Sequence, residues 1–158
     1  MQQPIDSDNF SFLLLDVARL SRAEFERRVT AAELGITPGE ARTLANVACY
    51  GPMRQHDLAG LTGLGPMSVT GMIDNLEKAG LVQRSTDPED RRAKQVQVTD
   101  KAEGLLTALH HIGEEVRAIS RGNLTADEWD LFRRMLKTAR DNHLSARRNR
   151  CTAGKGKA

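Results

Sequence analysis

The chain has 158 residues, 39% hydrophobic and 28% charged, which suits one domain of ordinary size with a real core and includes no apolar run near the ~18 residues of a membrane span. Its start has no basic segment leading into an apolar stretch, so no export signal is expected; Cys49 and Cys151 form no Cys-x-x-Cys pair and have no His at metal spacing, which fits a reducing cytoplasm. The net charge of +2 is uneven: residues 147–158 hold five bases and no acid, leaving 18 bases against 21 acids, a net −3, in residues 1–146, so a nucleic-acid partner would require positive charge concentrated locally.

Residues 1–9 are polar and are expected to be flexible. From Phe10 to Leu34 the pattern predicts a long helix, with Phe10, Leu13, Leu14, Val17, Ala18, Phe25 and Val29 at roughly helical spacing. "TPGE" then restarts the chain: Thr37 can cap, Pro38 fits the first helical position, and Glu40 can close a capping box. This second helix should reach about Tyr50, where "GP" stops it. A short helix from Gln55 to Leu64 should turn Leu58, Ala59 and Leu61 inward. "GLGP" makes a tight turn, and the next helix runs from Pro66 to about Ala79, closed by Gly80 with Leu81 packing back on Leu76. Two helices joined by a short Gly-containing turn make a helix-turn-helix.

Leu81–Ser85 and Lys94–Val98 read as a hairpin with one buried face, and the charged "DPEDRR" lies between them. Asp100 to Glu103 forms a capping box for a helix to about Arg121, and Thr125 to Glu128 another for a last helix to about Ser145. The segment 147–158 is basic, lacks periodicity and is expected to be disordered. The expected fold class is therefore mainly α with a small β-hairpin wing.

On a helical wheel, Pro66–Ala79 carries Val69, Met72, Ile73 and Leu76 in one apolar stripe. The opposite side carries Met67, Ser68, Thr70, Gly71, Asp74, Asn75 and Lys78, and its first half is small, uncharged and hydrogen-bonding. A DNA major groove favours such a surface, and Ser68 and Thr70 can bond base edges or phosphates. A solvated helix face is the plainer reading of this pattern taken alone. A hairpin directly after a helix-turn-helix is the wing of a winged helix, and an arginine at its tip suits a narrow minor groove. Asp90 could orient Arg92, while Arg91, Lys94 and Arg84 could meet phosphates. The plainer reading here is a soluble turn whose charges neutralise one another.

"DPEDRRAKQVQVT" resembles the wing signature of the MarR family of bacterial transcription regulators, and "LAGLTGLGPMSVTGMIDNLEKAGLVQR" resembles that family's helix-turn-helix and strand entry. The resemblance spans roughly residues 10 to 145. "DRRAK" and "LEKAGL" are most similar to the SlyA branch. The resemblance implies a homodimer, with residues 10–34 and 100–146 as a helical dimerisation region and 35–99 as the winged helix-turn-helix. It implies a regulator, expected to be a repressor, whose Ser68 and Thr70 lie in the major groove, and whose wing-tip Arg92 has Asp90 as its partner. Gly71 departs from the pattern: SlyA-like members carry a base-contacting arginine there, so their operator does not transfer.

The apolar residues of the two closing helices support pairing on their own account: Leu105, Leu106, Leu109, Ile112 and Val116, then Trp129, Phe132, Met135, Leu136 and Ala139. A dimer would read a pseudo-palindrome with half-sites one DNA turn, roughly 34 Å, apart. Family members commonly answer to small aromatic acids, phenols or oxidants, and the candidate ligand groups here are Arg19, Arg22, Asn46 and His56. Cys49 reads as a small buried apolar residue, and no cysteine stands near the start of the first helix, where the family's peroxide sensor sits. The sequence offers no metal site, cofactor motif or catalytic triad, which sets an enzyme aside. The competing class is a winged-helix protein–protein adaptor without specific DNA binding, which would lack a steep loss of affinity with salt.

Overall fold

The computed structural model describes residue 6 and residues 8–154, with side chains through residue 149. Asn9 opens the first helix, α1 (Phe10–Ala31): its Oδ1 accepts from the backbone N–H groups of Ser11 and Phe12, satisfying two donors that no helical carbonyl can reach. The expected flexible segment therefore includes an ordered cap, and residues 1–5 and 7 lie outside the described residues. The helix stops three residues before the expected Leu34. Glu33 at φ 47° and Gly35 at φ 74° turn the chain through left-handed backbone, which brings Leu34 and Ile36 against the core.

The second helix, α2 (Pro38–Tyr50), has both halves of the expected capping box. Glu40 N donates to Thr37 Oγ1 at 3.2 Å, and Thr37 N donates to Glu40 Oε2 at 2.8 Å. Ala41, Leu44 and Val47 face inward. Cys49, expected to be buried, is exposed. It lies two residues beyond Val47 on a helix, which rotates it about 200° away from the buried stripe.

A two-residue strand, β1 (Met53–Arg54), precedes α3 (Gln55–Thr62). Leu58 and Ala59 are buried as expected, whereas Leu61 is exposed. The turn is made by Gly63 at φ 66°, a left-handed position that a side chain would strain. Pro66 begins α4 (Pro66–Lys78), and Val69, Ile73 and Leu76 form its buried stripe. Met72 is only half-buried, with its sulfur 3.4 Å from Thr43 Oγ1. The helix ends as the sequence predicts: Gly80 takes φ 74°, Gly80 N donates to Glu77 O, and Leu81 N donates to Leu76 O.

The strands β2 (Val82–Thr86) and β3 (Lys94–Val98) form the expected antiparallel hairpin, with Val82 opposite Val98 and Arg84 opposite Val96. The two-residue β1, too short to show a period in the sequence, pairs along the other edge of β3, giving the order β1-β3-β2. Val82 and Val96 are buried in the core shared by α2, α3 and α4.

Asp87 anchors the base of the wing. Its Oδ1 accepts from Glu89 N at 2.8 Å, and its Oδ2 accepts from Arg54 Nε at 2.6 Å. The Glu89 N–H and then the Arg54 guanidinium hold its carboxyl below the usual carboxylate range.

The expected capping box at Asp100 does not form. Thr99 donates its hydroxyl to Gly80 O at 2.6 Å, and the chain enters α5 (Glu103–Arg121) through a single 3-10 turn, Asp100–Ala102, with no side-chain cap. Leu109, Ile112 and Val116 are the buried side of α5.

The chain divides into two compact units, residues 1–120 and 121–158. In the second, Thr125 and Glu128 make the predicted capping box for α6 (Ala126–Gly154). This helix does not end near Ser145. Arg147 and Arg148 are good helix formers, and the first glycine beyond them is Gly154, so the segment expected to be disordered continues the helix to that point. Residues 155–158 and the side chain of Cys151 lie outside the described residues.

Because Asp87 has a lowered pKa in the folded chain, its contribution is fully present above its unfolded value of about 3.9 and is lost as pH falls through the lower folded value. The melting-temperature gap between the wild type and Asp87→Asn should stay constant from about pH 5 to 7 and close below about pH 4. Thermal melts across this range check it; a gap that widens on acidification would contradict the anchoring.

Candidate nucleic-acid interface

The buried stripe of α4 dictates what the helix shows to solvent. With Val69, Ile73 and Leu76 held inside, Met67, Ser68, Gly71, Asn75 and Lys78 are exposed. Met67 is 89% exposed, an unusual position for a large apolar side chain at the start of a helix. No atom comes within 4 Å of where a Cβ on Gly71 would stand, so the surface is open there for close approach.

Thr70 is half-buried and already engaged. Its hydroxyl donates to Pro66 O at 2.9 Å and accepts from Gln55 Nε2. With its proton committed to the helix carbonyl, Thr70 can offer an incoming group only its remaining lone pair and its methyl. Asn75 is also partly committed: its Nδ2 donates to Glu40 Oε1 at 2.9 Å. Burial pushes the Glu40 carboxyl up, but the Thr37 N–H and the Asn75 amide outweigh it and hold the group below its ordinary value.

The wing differs from expectation in its pairing. Asp90 does not hold the Arg92 guanidinium. Its Oδ1 accepts from the backbone N–H of Arg92 at 3.1 Å, and its Oδ2 lies 3.8 Å from Arg54 Nη2. A turn this tight brings Asp90 to the Arg92 amide, and Arg54 approaches from β1, so Asp87 and Asp90 are engaged at the base of the wing. Arg91 and Arg92 are exposed and make no ion pair among the described residues. The charges at the tip therefore do not neutralise one another as the plainer reading requires. Lys94 is exposed at the end of β3, with Nζ 3.5 Å from Thr86 Oγ1.

Arg84, expected to meet phosphate, is turned the other way. Strand alternation puts it on the same face as buried Val82, over the C-terminal half of α4. Its Nη2 bonds Asp74 Oδ1 at 2.6 Å, its Nη1 bonds Glu77 Oε2, and its backbone N–H donates to Glu77 Oε1 at 3.1 Å. Partial burial works against its charge, but the bonds to Asp74 and Glu77 raise its pKa. Such part-exposed pairs typically add only about 0–1 kcal/mol of stability, so their effect here is chiefly one of placement.

The four candidate ligand groups separate. Arg22 and Asn46 line an open cavity of about 340 Å³ together with Phe25, Arg42 and Leu61. Arg19 lies further up α1, paired with Asp16 at 3.0 Å, and exposed His56 lies on α3; neither lines this cavity. Arg42 is fixed by Glu26 at 2.6 Å and by Thr62 O at 3.3 Å, and Asn46 Nδ2 donates to Arg42 O at 2.8 Å.

Three functional candidates escaped the sequence. Gln55 and Arg54 act across 15 and 33 residues of chain, and no local pattern reports such a pairing. The outward turn of Leu61 follows from the short length of α3, whose inward positions are filled by Leu58, Ala59 and Thr62.

Comparison with known proteins agrees with this geometry. Residues 36–94, which hold the helix-turn-helix and the wing, match the model of the MarR family. The structure is similar to that of the transcriptional regulator PA3341, at 29% identity and a TM-score of 0.72, over 87% of this chain and 99% of that one. It is also similar to a MarR-family regulator from Silicibacter pomeroyi (19% identity, TM-score 0.75, 89% and 96% coverage). A third match is BpsR of Bordetella bronchiseptica, whose DNA binding is regulated by 6-hydroxynicotinic acid (21% identity, TM-score 0.67, 89% and 99% coverage). In its wing signature, its helix-turn-helix and its winged-helix fold the chain is thus similar to the MarR family of transcriptional regulators, whose model residues 36–94 match.

Proposed function

We propose that the chain binds a pseudo-palindromic DNA operator as a homodimer in the cytoplasm, acts as a repressor, and is modulated by a small aromatic or phenolic ligand. One observation carries the DNA reading. The small, open first half of α4 lies in the same winged helix as a wing tip whose Arg91 and Arg92 are exposed and unpaired among the described residues. An open helix face suits a major groove, and an arginine finger suits the adjacent minor groove. In this reading Ser68 and Thr70 approach base edges, Gly71 permits close approach, Met67 offers an apolar contact to a base methyl, Asn75 adds its carbonyl oxygen, and Arg91 and Lys94 meet phosphate.

Dimerisation is supported by apolar surface on each unit. The first half of α1 exposes Phe12, Leu13, Leu15, Val17 and Leu20, and none of the described residues of α6 is buried, including Leu131, Met135 and Leu144. Water-exposed apolar surface of this extent marks an interaction face, and a two-fold pair sets two reading helices one DNA turn apart. For the effector, Arg22 supplies a cation and Phe25 a ring at the mouth of a cavity of about 340 Å³, within the usual range for small ligands. Regulation of BpsR by an aromatic acid is consistent with this choice of chemistry.

Salt-titrated binding to duplexes selected from random sequence tests the reading. Affinity should fall steeply with salt, and the selected consensus should be two-fold symmetric. A flat salt dependence would instead favour a protein-binding adaptor.

Arg92→Ala should weaken binding to the selected duplex by about 1–3 kcal/mol, as loss of a groove contact does. Unchanged affinity in a gel-shift titration would remove the wing from the interface. Thr70→Ala should alter the selected sequence more than the overall affinity, because what it removes is a lone pair and a methyl facing bases. Repeating the selection with the variant is the check, and an identical consensus would refute the assignment.

A further inference from the structure

We propose that Arg84 is a positioning residue for DNA reading: it screens the two carboxylates that α4 carries, Asp74 and Glu77, and ties the first wing strand to the reading helix. The inference rests on the DNA-binding function proposed above and reverses the natural reading of Arg84 as a phosphate contact.

Asp74 and Glu77 stand three residues apart on α4 and therefore share a face. Both are part-exposed, at 47% and 39% of their side chains. Left alone, two adjacent carboxylates on a helix that approaches DNA would repel each other and the phosphates. Arg84 reaches both from the neighbouring strand: Nη2 to Asp74 at 2.6 Å, Nη1 to Glu77, with its own backbone N–H holding the second oxygen of Glu77 at 3.1 Å. Its side chain is only 24% exposed.

A guanidinium is the group that can do this. Its rigid, planar fork points separate N–H groups at two acceptors, whereas an ammonium is a single point charge. The same fork fixes distance as well as charge. Val82, two residues before it on the same face of the strand, is buried in the core, and Val96 lies opposite it on β3. The wing is thereby held to α4 by two carboxylates that belong to the reading helix itself, so that helix and wing meet the duplex in a fixed relation.

A double-mutant cycle on the full-length chain tests this, with fluorescence anisotropy on a duplex that the wild type has selected from random sequence. Arg84→Gln, which keeps most of the side-chain volume, should weaken binding about tenfold at low salt, and Arg84→Lys by a smaller factor. Asp74→Asn with Glu77→Gln should raise affinity by no more than about threefold when Arg84 is present, but should restore most of the tenfold loss when it is absent. The loss in Arg84→Gln should shrink as salt is raised, because the repulsion is screened. If the acid replacements gain the same factor with and without Arg84, Arg84 touches phosphate itself and the proposal is overturned. It is equally overturned if the loss persists at every salt concentration alongside a lowered melting temperature, which marks a folding defect. A wild type that selects no DNA at all overturns the DNA-binding function and this proposal together, an outcome distinct from the other two.

Discussion

Three side chains decide which way α4, the proposed reading helix, faces. Val69, Ile73 and Leu76 of α4 are at most 1% exposed, and they pack with Leu44 and Val47 of α2 and Leu58 of α3. Fully burying an aliphatic side chain contributes about 1.5–3 kcal/mol, so rotating α4 by even one position would forfeit several kcal/mol. That exceeds the worth of any hydrogen bond on its outer face, each about 0.5–1.5 kcal/mol net. The hydrophobic stripe therefore fixes the outward set, and the polar contacts of Gln55, Asn75 and Arg84 adjust a surface whose orientation is already determined.

The second constraint is where the wing begins. A free two-stranded hairpin is marginal in water. Here β3 gains a second neighbour in β1, and Arg54, the last residue of β1, binds Asp87 at the wing base. Arg54 is also the residue immediately before α3, so one side chain links the first helix of the helix-turn-helix to the wing. On the other edge Arg84 links β2 to the second helix. The hairpin is thus pinned from both sides by arginines at its base, and the arginines at its tip are left exposed.

The parts of the fold that follow from local rules were legible in the sequence. The Thr37 and Glu40 capping box, the Gly80 helix end and the Thr125 and Glu128 box each depend on residues within a few positions of one another. The alternation of Val96 and Val98 gave the hairpin its buried side for the same reason. What escaped depends on distant chain. Asp100 and Glu103 satisfy the capping-box pattern, yet the Thr99 hydroxyl is drawn to Gly80 O on another element, and the local motif loses. Asp90 and Arg92 are spaced for an ion pair, but Arg54 arrives from 36 residues earlier in the sequence and competes for the carboxylate. Arg84 carried a usable signal: it shares strand parity with Val82 and so had to face inward, where a cation requires acids. Asp74 and Glu77 were the acids within reach.

Charge economy ties these observations to the composition. Residues 1–146 carry a net −3, an unpromising balance for the DNA binding proposed above. Several acids near the proposed reading surface are, however, engaged: Asp74 and Glu77 by Arg84, Asp87 by Arg54 and the Glu89 amide, Glu40 by Thr37 and Asn75. Arg84 and Arg54 are paired with these acids, while Lys78, Arg91, Arg92 and Lys94 on α4 and the wing face solvent. Net charge is a sum over the chain, but a phosphate within a Debye length of about 8–10 Å responds to the local pattern. A body that is acidic on average can therefore present a positive edge where neighbouring carboxylates such as Asp74, Glu77 and Asp87 are engaged by arginines.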